Sequence, residues 1–155
     1  MASYGPPNSK AGRTSGRTCG RGGRSVSVLL VFVFLKLAGA GIVLIGLLHA
    51  SLGVSADRML DRTVPLAALD HASLDSQNRF YGATFAVFGV LLWLCSTDMT
   101  RYSAVFRVLM IVFFAGGLTR IVSTFVKGLP SASVRALAVI ELVVPPIMLW
   151  WQASL

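Results

Sequence analysis

Four stretches of the chain are almost continuously apolar, at about 26–52, 79–95, 103–126 and 134–151, with polar residues gathered between them. A surface helix of a soluble domain carries an apolar stripe on one face, whereas these runs are apolar all round. Crossing the hydrocarbon of a bilayer takes roughly 17–25 apolar residues in a helix, and each run meets that length. Inside lipid the backbone must satisfy its own hydrogen bonds, so the runs are expected to be helices. The fold class expected is all-α: an integral membrane four-helix bundle spanning residues 26–153, preceded by a disordered basic tail at residues 1–25.

The polar breaks carry their own signals. In the long connection at 53–78, Ser55 is placed to cap a short helix through Asp57, Arg58 and Asp61, with Met59 and Leu60 dipping into the membrane interface. Pro65 interrupts that helix, and Asp75 resembles the N-cap of the next, four residues ahead of Arg79. The segment Val54-Ser55-Ala56 loosely matches a signal-peptidase site, but the first apolar run is too long for a signal peptide and reads as an uncleaved anchor. Gly82, Ala86 and Gly89 set small residues on one helical face, which permits close packing against a neighbour. Pro145 and Pro146 are expected to kink the fourth helix, and Trp150 and Trp151 suit the aromatic belt at a membrane surface.

Composition agrees with lipid as the solvent. Of 155 residues, 55% are hydrophobic and 13% charged, too few charges to cover a water-soluble surface. The net charge of +8 is lopsided: Lys10, Arg13, Arg17, Arg21 and Arg24 contribute +5 with no acid among them. Arginines spaced by glycines faintly resemble RNA-binding segments. Beside a first spanning helix, however, a basic tail is a topology signal and a ligand for anionic lipids, and no nucleic-acid partner is expected. Four spans put both termini on one side, and the tail with Arg101 and Arg107 makes that side the cytoplasm. The expected location is a bacterial plasma membrane. Lys36, about 15 Å into the first helix, is expected to snorkel toward the cytoplasmic surface. Cys19 and Cys95 show no ligand or redox spacing.

Two charges stand inside the last two runs, Arg120 and Glu141. Arg120 lies seven residues before Lys127 and Glu141 six residues after Arg135, so both sit roughly 9–10 Å from the same membrane face. A short connection makes the two helices antiparallel neighbours, so the charges share a depth and a buried, bidentate ion pair is expected. Gly116, Gly117, Ser123 and Thr124 lie near the face of Arg120, while Pro145 frees the carbonyl of Glu141 from its usual helical bond. With His49, Arg79 and Tyr81 toward the same surface, these residues form a candidate intramembrane polar site, with Gly82, Gly116, Gly117, Pro145 and Pro146 shaping the packing around it. His49, His71, Asp70 and Asp75 match no metal-ligand spacing, so no metal is expected. No nucleophile, phosphate-loop or dinucleotide motif occurs in its required context, so no cofactor is expected and no catalytic residue can be named.

Several of these features occur together in a known pattern. Asp75 with Asn78-Arg79-Phe80-Tyr81-Gly82, Gly116-Gly117-Leu118-Thr119-Arg120, Gly128-Leu129-Pro130 and Glu141-Leu142-Val143-Val144-Pro145-Pro146 appear in order. Across about 28–153 the chain resembles a bacterial family of small membrane proteins catalogued as domain of unknown function 4345. Asn78 stands where that pattern leads one to expect an apolar or aromatic residue. The resemblance implies the four-helix architecture and no chemistry.

Two functions compete. One is a non-enzymatic membrane protein that binds a lipid-like ligand or serves as a subunit of a membrane complex, with a homo-oligomer or another membrane protein as partner. The other is a membrane-embedded enzyme on a lipid-like substrate, with Glu141 as acid/base and Arg120 holding an anionic group. The absence of catalytic signatures favours the first.

Overall fold

The computed structural model describes residues 21–154, with side chains from Val28 onward. Most of the basic tail therefore lies outside the described residues. Five α-helices follow in order: α1 (Arg21–Leu52), α2 (Val54–Leu60), α3 (Ala72–Cys95), α4 (Ser103–Lys127) and α5 (Ala132–Ala153). A single 3-10 turn, Leu66–Ala68, sits between α2 and α3. α1, α3, α4 and α5 are each long and apolar enough to cross a membrane. The protein is an all-α membrane protein. Exposed Leu29, Leu37, Leu44, Val87, Phe125 and Trp150 are what a lipid-facing surface requires.

The helices assemble as two antiparallel pairs, α1 on α3 and α4 on α5, with a lighter contact between α3 and α4. Lipid tails are as apolar as leucine, so helices in a bilayer gain little from burial itself; they associate by close van der Waals fit. In the first pair that fit is backbone on backbone. Gly39 and Gly46 of α1 meet Gly89 and Gly82 of α3, each pair seven residues apart on its own helix. A Cβ on Gly46 would stand 2.7 Å from the carbonyl oxygen of Gly82, and one on Gly82 would stand 2.7 Å from that of Gly46. Gly39 and Gly89 are reciprocal in the same way, at 2.9 and 2.6 Å. The small face at Gly82, Ala86 and Gly89 thus has α1 as its neighbour.

At the end of the bundle where α1 begins and α5 finishes, the terminal end, the two pairs close around an apolar core of Leu35, Leu92, Cys95, Phe106, Leu109 and Met110. Phe32 of α1 meets Trp151 of α5 edge to face, with ring centroids 6.2 Å apart. Gln152 is buried there; it accepts from Nε of Arg107 at 3.3 Å and donates to the carbonyl of Ser103 at 3.1 Å, tying the end of α5 to the start of α4. Lys36 is exposed on α1.

The opposite end is built from turns. Gly53, with φ +59°, reverses the chain between α1 and α2, and its amide bonds the carbonyl of His49 at 2.8 Å. That turn makes Gly53 the residue before α2 and puts Ser55 inside the helix rather than at its cap. α3 likewise starts earlier than its apolar run, because the His71 side chain accepts from the amide of Leu74 and supplies the N-cap. Asp75 is therefore not the cap. Its carboxylate instead accepts from the amide of Val54 at 3.2 Å and from Nε of Arg79 at 2.7 Å. Gly128, at φ +92°, ends α4. α5 continues as one helix through Pro145 and Pro146, with Pro145 fully buried.

Candidate functional site

The second pair is held by charge. Nε of Arg120 donates to Oε2 of Glu141 at 2.7 Å. The glutamate side chain is 3% exposed and the arginine 32%, so the carboxylate is sealed behind the guanidinium. Gly117 lets α5 come this close: a Cβ there would stand 3.0 Å from Cβ of Glu141 and 2.9 Å from Cγ of Leu142. Gly116 is different, because a Cβ there would meet only Oε2 of Glu141, at an ordinary 3.9 Å. The hydroxyls of Thr119 and Thr124 are turned back onto the helix, donating to the carbonyls of Gly116 and Arg120 at 2.7 and 2.9 Å.

The pairing has one bond where a bidentate fork was expected. Among the described residues, the two Nη groups of Arg120 make no hydrogen bond. Arg120 lines a cleft of about 590 Å³ between α3 and α4, with Glu141 of α5 behind it. Tyr81 and Ser123 line the same cleft, and their hydroxyls also lack a partner among the described residues. Thr84, Gly116 and Thr119 line its middle, and along the helices toward the terminal end Phe85 and Phe88 of α3 and Val112 and Phe113 of α4 continue the wall. Phe88 and Phe113 touch across it, their ring centroids 5.7 Å apart. The cavity is amphipathic by construction: donors and hydroxyls at one end, aromatic rings at the other.

Of the candidate residues, the structure brings Arg120, Glu141, Tyr81 and Ser123 together at this cleft. His49 and Arg79 lie at the junction of α1, α2 and α3. Nε2 of His49 is 3.0 Å from Oδ1 of Asp57, and its Nδ1 is 2.8 Å from the carbonyl oxygen of Ile45. Asn78 donates to the other oxygen of Asp57. Arg79, besides holding Asp75, donates from Nη1 to the carbonyls of Ala50 and Ser51 at 3.2 and 2.6 Å, closing the C-terminal end of α1. These groups satisfy one another and build the junction. Asn78, out of place in an apolar pattern, is explained by Asp57. What sequence reasoning missed is the aromatic wall: Phe85, Phe88 and Phe113 read as ordinary lipid-facing residues until α3 and α4 are set side by side.

A further contact joins the two pairs at this end. Asp61, in the connection after α2, accepts from Ser133 of α5 at 3.5 Å. The Ser131 and Thr63 hydroxyls, with the Thr63 amide, hold its carboxyl down at a pKa of about 2.

In comparison with known proteins, the family model described as Domain of unknown function (DUF4345) matches residues 30–152. Nothing matches among the curated proteins or the solved structures.

Proposed function

The chain belongs to the family described as Domain of unknown function (DUF4345), a description that carries no activity, and on that premise we propose that it is a non-enzymatic membrane protein holding a lipid-like ligand in the cleft between α3 and α4. One observation carries the reading. Glu141 fixes Arg120 through Nε, its remaining N–H groups have no partner among the described residues, and the arginine lines a cavity with aromatic walls. Ligand sites are mostly apolar cavities of roughly 300–1,000 Å³ with a few placed polar groups. Donors without partners in a low-dielectric site gain from an incoming acceptor.

The enzymatic alternative finds less support. Glu141 lines the cleft but is almost fully buried against Arg120, and a carboxylate already neutralised by a guanidinium is a poor acid or base. For topology we favour both termini in the cytoplasm of a plasma membrane, supported by the basic tail with Arg101 and Arg107. The polar end of the cleft then lies in the half of the bilayer away from the cytoplasm. A reporter fused to the C-terminus and active only outside the cell would reverse that orientation.

The test is lipid mass spectrometry on protein purified in a mild neutral detergent, comparing wild type with Arg120→Leu/Glu141→Leu. The double variant removes the donors while leaving no buried charge unpaired. Wild type is expected to retain a lipid-like species that the folded double variant loses. The same bound lipids in both would sink the reading.

A further inference from the structure

Resting on the ligand-binding reading above, we infer that the ligand is a single-chain amphiphile with an oxyanion head, such as a carboxylate or a phosphate, seated head-first on Arg120. We also infer that the Phe88–Phe113 contact is the floor that limits its chain length. The order of residues along each helix fixes the orientation. Tyr81 of α3 and Arg120 and Ser123 of α4 stand at one end of the cleft, Phe88 of α3 and Phe113 of α4 at the other. At the helical rise, the seven residues from Tyr81 to Phe88 and the ten from Phe113 to Ser123 give a run of roughly 10–15 Å.

The head chemistry follows from how the ion pair is oriented. Glu141 is buried, and its carboxylate accepts a hydrogen bond only from Nε of Arg120 among the described residues. The pair is therefore a dipole whose positive end faces the cleft. Coulomb energy falls with distance, so a head group at the Nη edge meets the guanidinium before the carboxylate behind it. Two parallel N–H donors on that edge match the two oxygens of a carboxylate or phosphate. The Ser123 and Tyr81 hydroxyls add donors beside them. A cationic head meets the wrong end of the dipole. A neutral alcohol head offers one oxygen where two are wanted.

The tail chemistry follows from the walls. The two Phe rings, 5.7 Å apart between centroids, close the gap between α3 and α4. A chain descending from Arg120 runs into them. Removing either ring opens the cleft toward the terminal end, and a longer chain then fits.

The experiment is equilibrium binding of radiolabelled laurate to the full chain in neutral maltoside micelles, with dodecyl phosphate, dodecanol, dodecyltrimethylammonium and palmitate as competitors. Laurate and dodecyl phosphate should bind wild type, with dodecanol weaker by about tenfold or more, the scale of a charge-assisted hydrogen bond, and the cation not competing. Arg120→Leu/Glu141→Leu should lose the oxyanion preference. Phe88→Ala and Phe113→Ala should keep the head preference and shift the optimum from laurate toward palmitate. Equal competition by dodecanol and laurate, unchanged in the double variant, would overturn the oxyanion head while leaving a lipid-like ligand in place. An unchanged chain-length profile in both Phe variants would overturn the floor. If no amphiphile competes, and wild type and double variant carry the same lipids by mass spectrometry, both this inference and the reading beneath it fail.

Discussion

The two helix pairs solve one problem by different means. α1 and α3 meet through four glycines, backbone against backbone, with Arg79 closing the end of α1 beyond them. α4 and α5 meet through Gly117 and an ion pair in the membrane-spanning stretch, with Gln152 tying the far end. The glycine contact gives tight fit, and because it recurs at seven-residue intervals it also sets register by shape. The charge pair sets register by a single point: a shift of one turn, about 5.4 Å, would strand both groups in hydrocarbon. The first pair is a rigid post. The second presents a polar group to a cavity, and this is the pair around which function is proposed.

Substitutions can break the comparison in order of size. Gly82→Leu or Gly46→Leu should have the largest effect, since the backbone of the facing helix occupies the space. The expected result is loss of folded protein by size-exclusion profile, and a well-folded Gly82→Leu would remove the glycine contact as the organiser of the first pair. Next come the ion-pair singles. Breaking a buried pair costs about 3–5 kcal/mol when one partner is left alone, and Arg120→Leu should cost more than Glu141→Leu, because it strands the more buried group. The double Leu variant should be the most stable of the three by thermal unfolding in detergent. Equal melting of all three would show that the pair contributes nothing to structure.

Smaller effects sharpen the contrast. Gly117→Ala presses on Glu141 and Leu142 and should destabilise by about 1–3 kcal/mol, the usual cost of overpacking. Gly116→Ala makes only an ordinary contact with Oε2 of Glu141 and should be neutral or gain up to about 1 kcal/mol from helix propensity. Reversal of that order would misplace α5. The smallest effect belongs to the link between the pairs. Asp61 has its pKa lowered to about 2 by Ser131 and Thr63, so its contribution is complete above about pH 4, the unfolded carboxyl value, and fades as pH falls toward 2. Unfolding followed from pH 6 to 2 should show this loss in wild type and not in Asp61→Asn.

The spans were legible because lipid leaves the backbone one choice and apolar length reports it directly. The depth match of Arg120 and Glu141 was legible for a related reason: rise per residue and a short hairpin place both charges without any knowledge of packing. The destination of His49 and Arg79 was not. Gly53 adopts a left-handed conformation that folds α2 back, so Asp57 reaches His49 and Asp75 reaches Val54. A glycine in sequence does not announce which way it turns. Nor did Gly39 and Gly46 stand out, although their spacing equals that of Gly82 and Gly89, because a contact between helices depends on both rotations at once. Phe85, Phe88 and Phe113 became cavity walls only when α3 and α4 were juxtaposed.

The 21-residue separation of Arg120 from Glu141 also bears on how the protein is made. During synthesis the arginine emerges from the ribosome while its counter-charge is still inside the exit tunnel. An arginine at the centre of a helix raises its insertion cost by about 2.5–3.5 kcal/mol, and α4, with Arg120 off centre, carries a part of that load alone until α5 follows. The tight turn at Gly128 brings Glu141 alongside with no domain in between. The α4–α5 hairpin is thus the smallest piece in which the intramembrane arginine meets its counter-charge, and α5 acts as the escort that lets α4 stay.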